Sequence, residues 1–156
     1  LMTIDLFTYL PTTVLVAILS VLITVHLFKK NSSHQTKVHT LAFNKTHTED
    51  QKLMDAYTVL SKINPDKIIK LAVEWREYDE ATSIRTILNH WERVALGVKH
   101  GVYCEEMLIE SYRTLVISII DKTQDYITKT QESSPNSHIN FVKMASLWKT
   151  KSIQNP

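Results

Sequence analysis

The chain has 156 residues, 44% of them hydrophobic and 22% charged, a balance that excludes a disordered chain and allows one packed domain plus an appendage. A formal net charge of +2 gives no reason to expect a nucleic-acid partner, and residues 48–130 carry 14 acidic against 11 basic side chains with no basic stripe. The lone Cys104 excludes an internal disulfide, so the fold does not depend on oxidation and a reducing compartment is permitted.

The N-terminal signal is hydropathy. From Leu6 to Phe28, "LFTYLPTTVLVAILSVLITVHLF" runs 23 residues without a charge, and a helix needs roughly 20 to cross about 30 Å of hydrocarbon. It is apolar all round, unlike a core helix. Asp5 precedes it, no Lys or Arg does, and "FKKNSSHQ" offers no small-x-small cleavage pattern, so a retained anchor is expected rather than a signal peptide. Pro11 suits a first helical turn, which puts the regular helix between about Pro11 and Lys30. Thr8, Thr12, Thr13, Ser20 and Thr24 can return their hydroxyls to backbone carbonyls. Ser20 and Thr24, with Ala17 beside them, make a small-residue face without a G-x-x-x-G pair. Leu1 before Met2 reads as the end of an upstream extension or as a UUG start written as leucine.

Orientation follows from the flanks. Residues 1–28 hold no Lys or Arg, while residues 29–47 hold Lys29, Lys30, Lys37 and Lys45 and no acidic residue. Positive charge marks the cytoplasmic side, so the expected placement is a bacterial inner membrane with the N-terminus outside and the remainder in the cytoplasm. Residues 31–47, rich in Ser, Thr and Asn, read as a basic juxtamembrane linker whose lysines can lie against anionic headgroups. Its histidines, His34, His39 and His47, are spaced by five and eight residues. Neither spacing makes a helical metal pair, so they read as histidines of a flexible segment and no metal is expected.

Residues 48–151 read as a cytoplasmic all-α domain. Thr48 or Thr46 is expected to cap a helix carrying Leu53, Ala56, Tyr57, Leu60 and Ile63. "INPDK" breaks the pattern, with Asn64 as cap and Pro65 at the first position of a helix through Ile68, Ile69, Ala72 and Trp75 to about Tyr78. A third helix, from Asp79–Thr82 to about Val98, carries Ile84, Ile87, Leu88, Trp91, Val94 and Ala95. A fourth, from Glu105 to about Lys129, carries Leu108, Leu115, Val116, Ile119, Ile120 and Ile127. After "QESSPNSH", Ser137 is expected to cap a last helix through Phe141, Val142, Ala145 and Trp148. The expected architecture is a single transmembrane helix followed by a small antiparallel bundle of about five helices, without strands.

Both glycines of the chain fall in "ILNHWERVALGVKHGVYCEEM". One of Gly97 and Gly101 is expected to end the third helix and the other to free the turn, with Cys104 a weak cap for the fourth. This stretch, with Arg85 upstream and "NFVKMASLW" near the end, resembles an uncharacterised bacterial family with a domain of unknown function. Its pattern falls here on Leu88, Asn89, Glu92, Ala95, Gly97, Val98, Gly101, Tyr103 and Glu105. The resemblance implies a membrane helix followed by a small helical domain, and brings no chemistry.

Glu92 follows Leu88 by one turn and sits at the edge of the apolar stripe, where a carboxylate needs a partner. Arg85, Arg113 and Tyr112 are the expected ones. His90 and His100 fall beside charged neighbours and read as surface residues, and Trp75, Trp91 and Trp148 as core. No nucleophile, second carboxylate or oxyanion loop stands at a recognisable spacing, and no cofactor or small-molecule substrate is expected. The functional expectation is an accessory or adaptor protein, held at the lipid bilayer, whose helical domain meets a protein partner or a second copy of itself. The alternative is an enzyme or toxin-like effector acting through Asn89, Glu92, Tyr103 and Arg113.

Overall fold

The computed structural model describes residues 12–151, so Thr8 and Pro11 lie outside the described residues. Among these the fold is all-helical, with α1 (Thr12–Glu49), α2 (Gln51–Lys62), a short 3-10 turn (Pro65–Lys67), α3 (Ile68–Val73), α4 (Asp79–Lys99), α5 (Glu105–Ser133) and α6 (Ile139–Thr150). The chain divides into two compact units after Thr36, and each is taken separately.

The first unit is the beginning of α1. It is the one described helix long and apolar enough to cross a membrane, and none of its apolar window is buried. Ser20 Oγ donates to the Ala17 carbonyl and Thr24 Oγ1 to that of Ser20, both at 2.8 Å, so these hydroxyls are satisfied within the helix.

The second unit corrects the linker reading, because α1 continues as helix to Glu49. No glycine or proline stands between Thr12 and Asn64 to stop it. Its threonines here bond back one turn instead of competing with the helix, Thr46 to Ala42 and Thr48 to Asn44. Thr40, Phe43 and His47 recur at three- and four-residue steps and make a helical stripe, of which Thr40 and His47 are fully or nearly fully buried. Because this stripe is polar and aromatic rather than aliphatic, hydropathy passes over it.

The cap of α2 is Asp50 rather than Thr46 or Thr48, its carboxylate accepting the Leu53 N–H at 3.0 Å. Asn64 caps as expected, accepting the Asp66 N–H with Pro65 at the first position. α3 closes at Val73, earlier than expected. Backbones pack α2 along α4, α3 along α5 and more lightly against α4, and α6 against both α4 and α5. Between them lies one core that includes Leu53, Leu71, Ile84, Leu88, Trp91, Leu108, Ile127, Phe141 and Trp148, with Trp75 half-buried at its margin.

The two glycines take different tasks. α4 runs past Gly97 to Lys99. Gly101 then adopts φ +68° and the chain reverses in a Schellman motif, with the Val102 N–H on the Gly97 carbonyl at 2.8 Å and the Gly101 N–H on that of Val98 at 3.0 Å. Gly97 is inside the helix for another reason. A Cβ there would stand 2.4 Å from Tyr103 Cδ2, so the missing side chain is what lets the phenol ring lie on α4. Gly97→Ala is expected to cost about 1–3 kcal/mol by overpacking, and markedly less in a Tyr103→Leu background. Chemical denaturation of the two pairs of variants measures both.

Candidate functional site

The residues singled out in the sequence separate into three places. Glu92, half-buried on α4, finds none of its expected partners. Its carboxylate meets the first turn of α6, where Oε2 accepts the Phe141 N–H at 2.8 Å and Oε1 accepts the Asn140 side-chain amide at 2.6 Å and its N–H at 3.3 Å. It supplies from another helix the cap that α6 lacks in its own sequence. The residue before α6 is His138, not Ser137, and it sits in the left-handed region at φ 57° with no side-chain cap bond. Burial lowers the His138 pKa, with the nearby Glu92 carboxylate opposing the shift.

Arg113, from α5, holds the other end of α6. Its Nε donates to the Trp148 carbonyl at 2.8 Å, and an Nη donates to those of Lys149 and Lys151. A carboxylate at the N-terminus and a guanidinium at the C-terminus both match the helix dipole. Glu105 adds a third tie, accepting the Trp148 indole N–H at 3.0 Å and pairing with Lys151. Arg85 has a comparable local task, donating at 2.7 Å to the Arg76 carbonyl in the turn that precedes α4. Asn89 is exposed on α4. Glu92 and Arg113 thus stand at opposite ends of a 12-residue helix, roughly 18 Å long. Asn89, Glu92, Tyr103 and Arg113 do not meet in one site.

A different group does converge. His47 Nδ1 and His90 Nε2 are 2.9 Å apart, joining α1 to α4. Around them stand Phe43, with ring centroids 5.4 Å from His47 and 5.7 Å from His90, Tyr112 at 4.8 Å from His47, and Trp91 at 5.6 Å from each. Trp91 is fully buried, and its indole N–H donates to Tyr57 Oη at 2.8 Å. Both histidines are corrected from their sequence reading: His47 is buried in a helix and His90 is half-buried, whereas His100 is exposed as expected. No local spacing signals a pair 43 residues apart. The one available sign is the Thr40-Phe43-His47 periodicity.

Burial lowers the pKa of both imidazoles. For His47 the nearby Asp50 carboxylate opposes the shift. For His90 the pKa falls to about 4, with His47 and Arg93 adding to the effect and Asp50 opposing it. Burial also pushes the Tyr57 phenol up, and Tyr112 with it. A cleft of about 460 Å³ opens beside the pair, lined among others by His39, Phe43, Asp50, Arg93, Val102 and Tyr103. Among the described residues no three His, Cys, Asp or Glu side chains are grouped to hold a metal ion.

Cys104 stands at the N-cap of α5 without capping it. Its N–H donates to Thr40 Oγ1 at 2.8 Å and its thiol to Glu106 Oε2 at 3.2 Å. The Glu106 pKa is lowered, first by its own backbone N–H and then by that thiol. The fastening to Thr40 gives this turn a second contact with α1.

A family model described as "Domain of unknown function (DUF4760)" matches residues 11–148. The chain belongs to this family. The matched span covers the apolar part of α1 as well as the bundle, so the DUF4760 domain includes both. No curated protein and no solved structure matches.

The buried polar tie at Trp91 is testable alone. Tyr57→Phe removes the acceptor and strands the indole N–H, with an expected loss of about 1–3 kcal/mol, read as a lower midpoint in denaturant with an unchanged slope.

Proposed function

We propose that this DUF4760 chain is a single-pass protein of the bacterial inner membrane, with its N-terminus outside, that presents its helical domain in the cytoplasm as an accessory or adaptor module for a protein partner or a second copy of itself. The observation that carries the reading is the first part of α1. Leu19 is 58% exposed and Phe28 74%, within a run of exposed apolar side chains. Each such side chain favours removal from water by about 1.5–3 kcal/mol, and a lipid bilayer supplies that environment along the whole helix. Lys29, Lys30, Lys37 and Lys45 follow the run on one side only, which supports the inward orientation. The alternative of an enzyme or toxin-like effector acting through Asn89, Glu92, Tyr103 and Arg113 is not favoured, because Glu92 and Arg113 are both engaged as caps at opposite ends of α6.

Expression in a bacterial host tests placement and role together. The expected outcome is a membrane-bound protein that resists alkaline carbonate extraction, with a C-terminal fluorescent fusion that is bright and a C-terminal alkaline phosphatase fusion that is inactive. Release by carbonate contradicts spanning, and an active phosphatase fusion contradicts the orientation. Cross-linking in intact cells before detergent extraction is expected to recover a stoichiometric partner or a self-associated species, and recovery of neither contradicts the adaptor reading.

A further inference from the structure

The contact between His47 and His90 carries a chemical condition. At 2.9 Å one imidazole must offer its lone pair to the N–H of the other, and two protonated rings present only donors to each other. The bond also occupies an exposed mechanical position. α1 is not among the helices whose backbones pack closely. Residues 37–49 are held on the domain by side chains: the His47–His90 bond, the Thr40 hydroxyl on the Cys104 N–H, and the rings of Phe43 and His47 on those of Tyr103, Tyr112 and Trp91.

We propose that His47 and His90 form a proton-operated latch, in which the neutral pair holds residues 37–49 of α1 against α4, and mild acidification releases them and opens the cleft that they line. Protonating one ring charges an imidazole packed among aromatic rings, and protonating both breaks the bond. The groups facing the pair come from every element around it. α4 contributes Arg93, whose positive charge opposes a second one. Asp50, at the start of α2, favours protonation and is the main counter-charge. Tyr57 from α2 and Tyr112 from α5 present phenols that burial keeps neutral. Tyr103 adds a phenol from the turn, and His39 of α1 lines the outer part of the cleft.

The direction follows from linkage. Both imidazoles are held below the ordinary value of 6.5 when latched, His90 at about 4, and return toward it when residues 37–49 leave. The released state then binds more protons. Latching is therefore fully favoured above pH 6.5 and loses up to about tenfold per pH unit through His90 as pH falls from there toward 4, with His47 adding a loss in the same direction.

The test is hydrogen exchange on the full chain in detergent micelles at about pH 7.5 and about pH 5.5, corrected for the intrinsic rate. Protection across 37–50 is expected to fall about tenfold or more, while 108–127 in α5 keeps its protection. His47→Asn with His90→Gln places amide groups near the Nδ1 and Nε2 positions, which preserves a hydrogen bond that cannot titrate, and this variant is expected to lose the pH response. His90→Gln alone serves if the double variant is undocked at the higher pH, since an amide can meet His47 as donor or acceptor in either protonation state. Unchanged protection across 37–50 in the wild type overturns the latch. So does a full pH response in these variants, or a loss that spreads equally through α5. The latch is read on the purified chain and stands or falls independently of membrane orientation and of any partner.

Discussion

The fold depends on how a short helix with no caps of its own is made stable. α6 has 12 residues, near the length at which an isolated helix is marginal in water. Nevertheless it is the element that packs on both α4 and α5, and it brings Phe141, Met144, Ala145 and Trp148 into the core. Its ends are supplied from its neighbours, by Glu92 of α4 on the Asn140 and Phe141 amides and by Arg113 of α5 on the last carbonyls. Each charge lies at the end of the dipole that favours it, and caps of this kind contribute about 0.5–2 kcal/mol each. Specificity comes with the energy. Only one placement of α6 along α4 and α5 brings the two side chains to its two ends.

The other flank of α4 is organised differently. Trp91, one residue before Glu92, points to an aromatic and imidazole cluster shared with α1, α2 and α5, where the polar atoms meet each other instead of backbone: Trp91 with Tyr57, and His47 with His90. Ring packing and these two hydrogen bonds between side chains hold this region, whereas the α6 side is held by charged groups at the ends of a helix. Gly97 and Gly101 connect the two arrangements. One lets Tyr103 lie on α4 and the other turns the chain toward α5, which brings the Cys104 N–H to Thr40 of α1.

What could be read from the sequence was what has a local period. The aliphatic stripes of α4 and α5, the Asn64-Pro65 start, the apolar beginning of α1 and the need of Glu92 for a partner all stand within a few residues of the feature that signals them. Glu92's partners did not, since two of them are backbone amides and the third is the Asn140 side chain, 48 residues away and at no local spacing from Glu92. The helix through 31–47 was hidden for a related reason. Ser, Thr and Asn suggest a linker when hydropathy is the measure, yet the structure uses Thr40 and His47 as buried polar contacts and turns the remaining threonines back onto their own helix. His90 was misplaced because charged neighbours on a helix say little about the face it occupies, and its partner lies on an element whose helicity was itself not seen.

The Glu92 carboxylate at the start of α6 is the contact on which the placement of this helix most directly depends. Hydrogen exchange of the amides in α6 should be compared between the wild type and Glu92→Ala, with α5 as the internal reference. Loss of the cap leaves two half-buried N–H groups without an acceptor and is expected to lower α6 protection about 30- to 100-fold, corresponding to about 2–3 kcal/mol, with a smaller change in α5. Unchanged protection in α6 would contradict the claim that Glu92 fixes this helix.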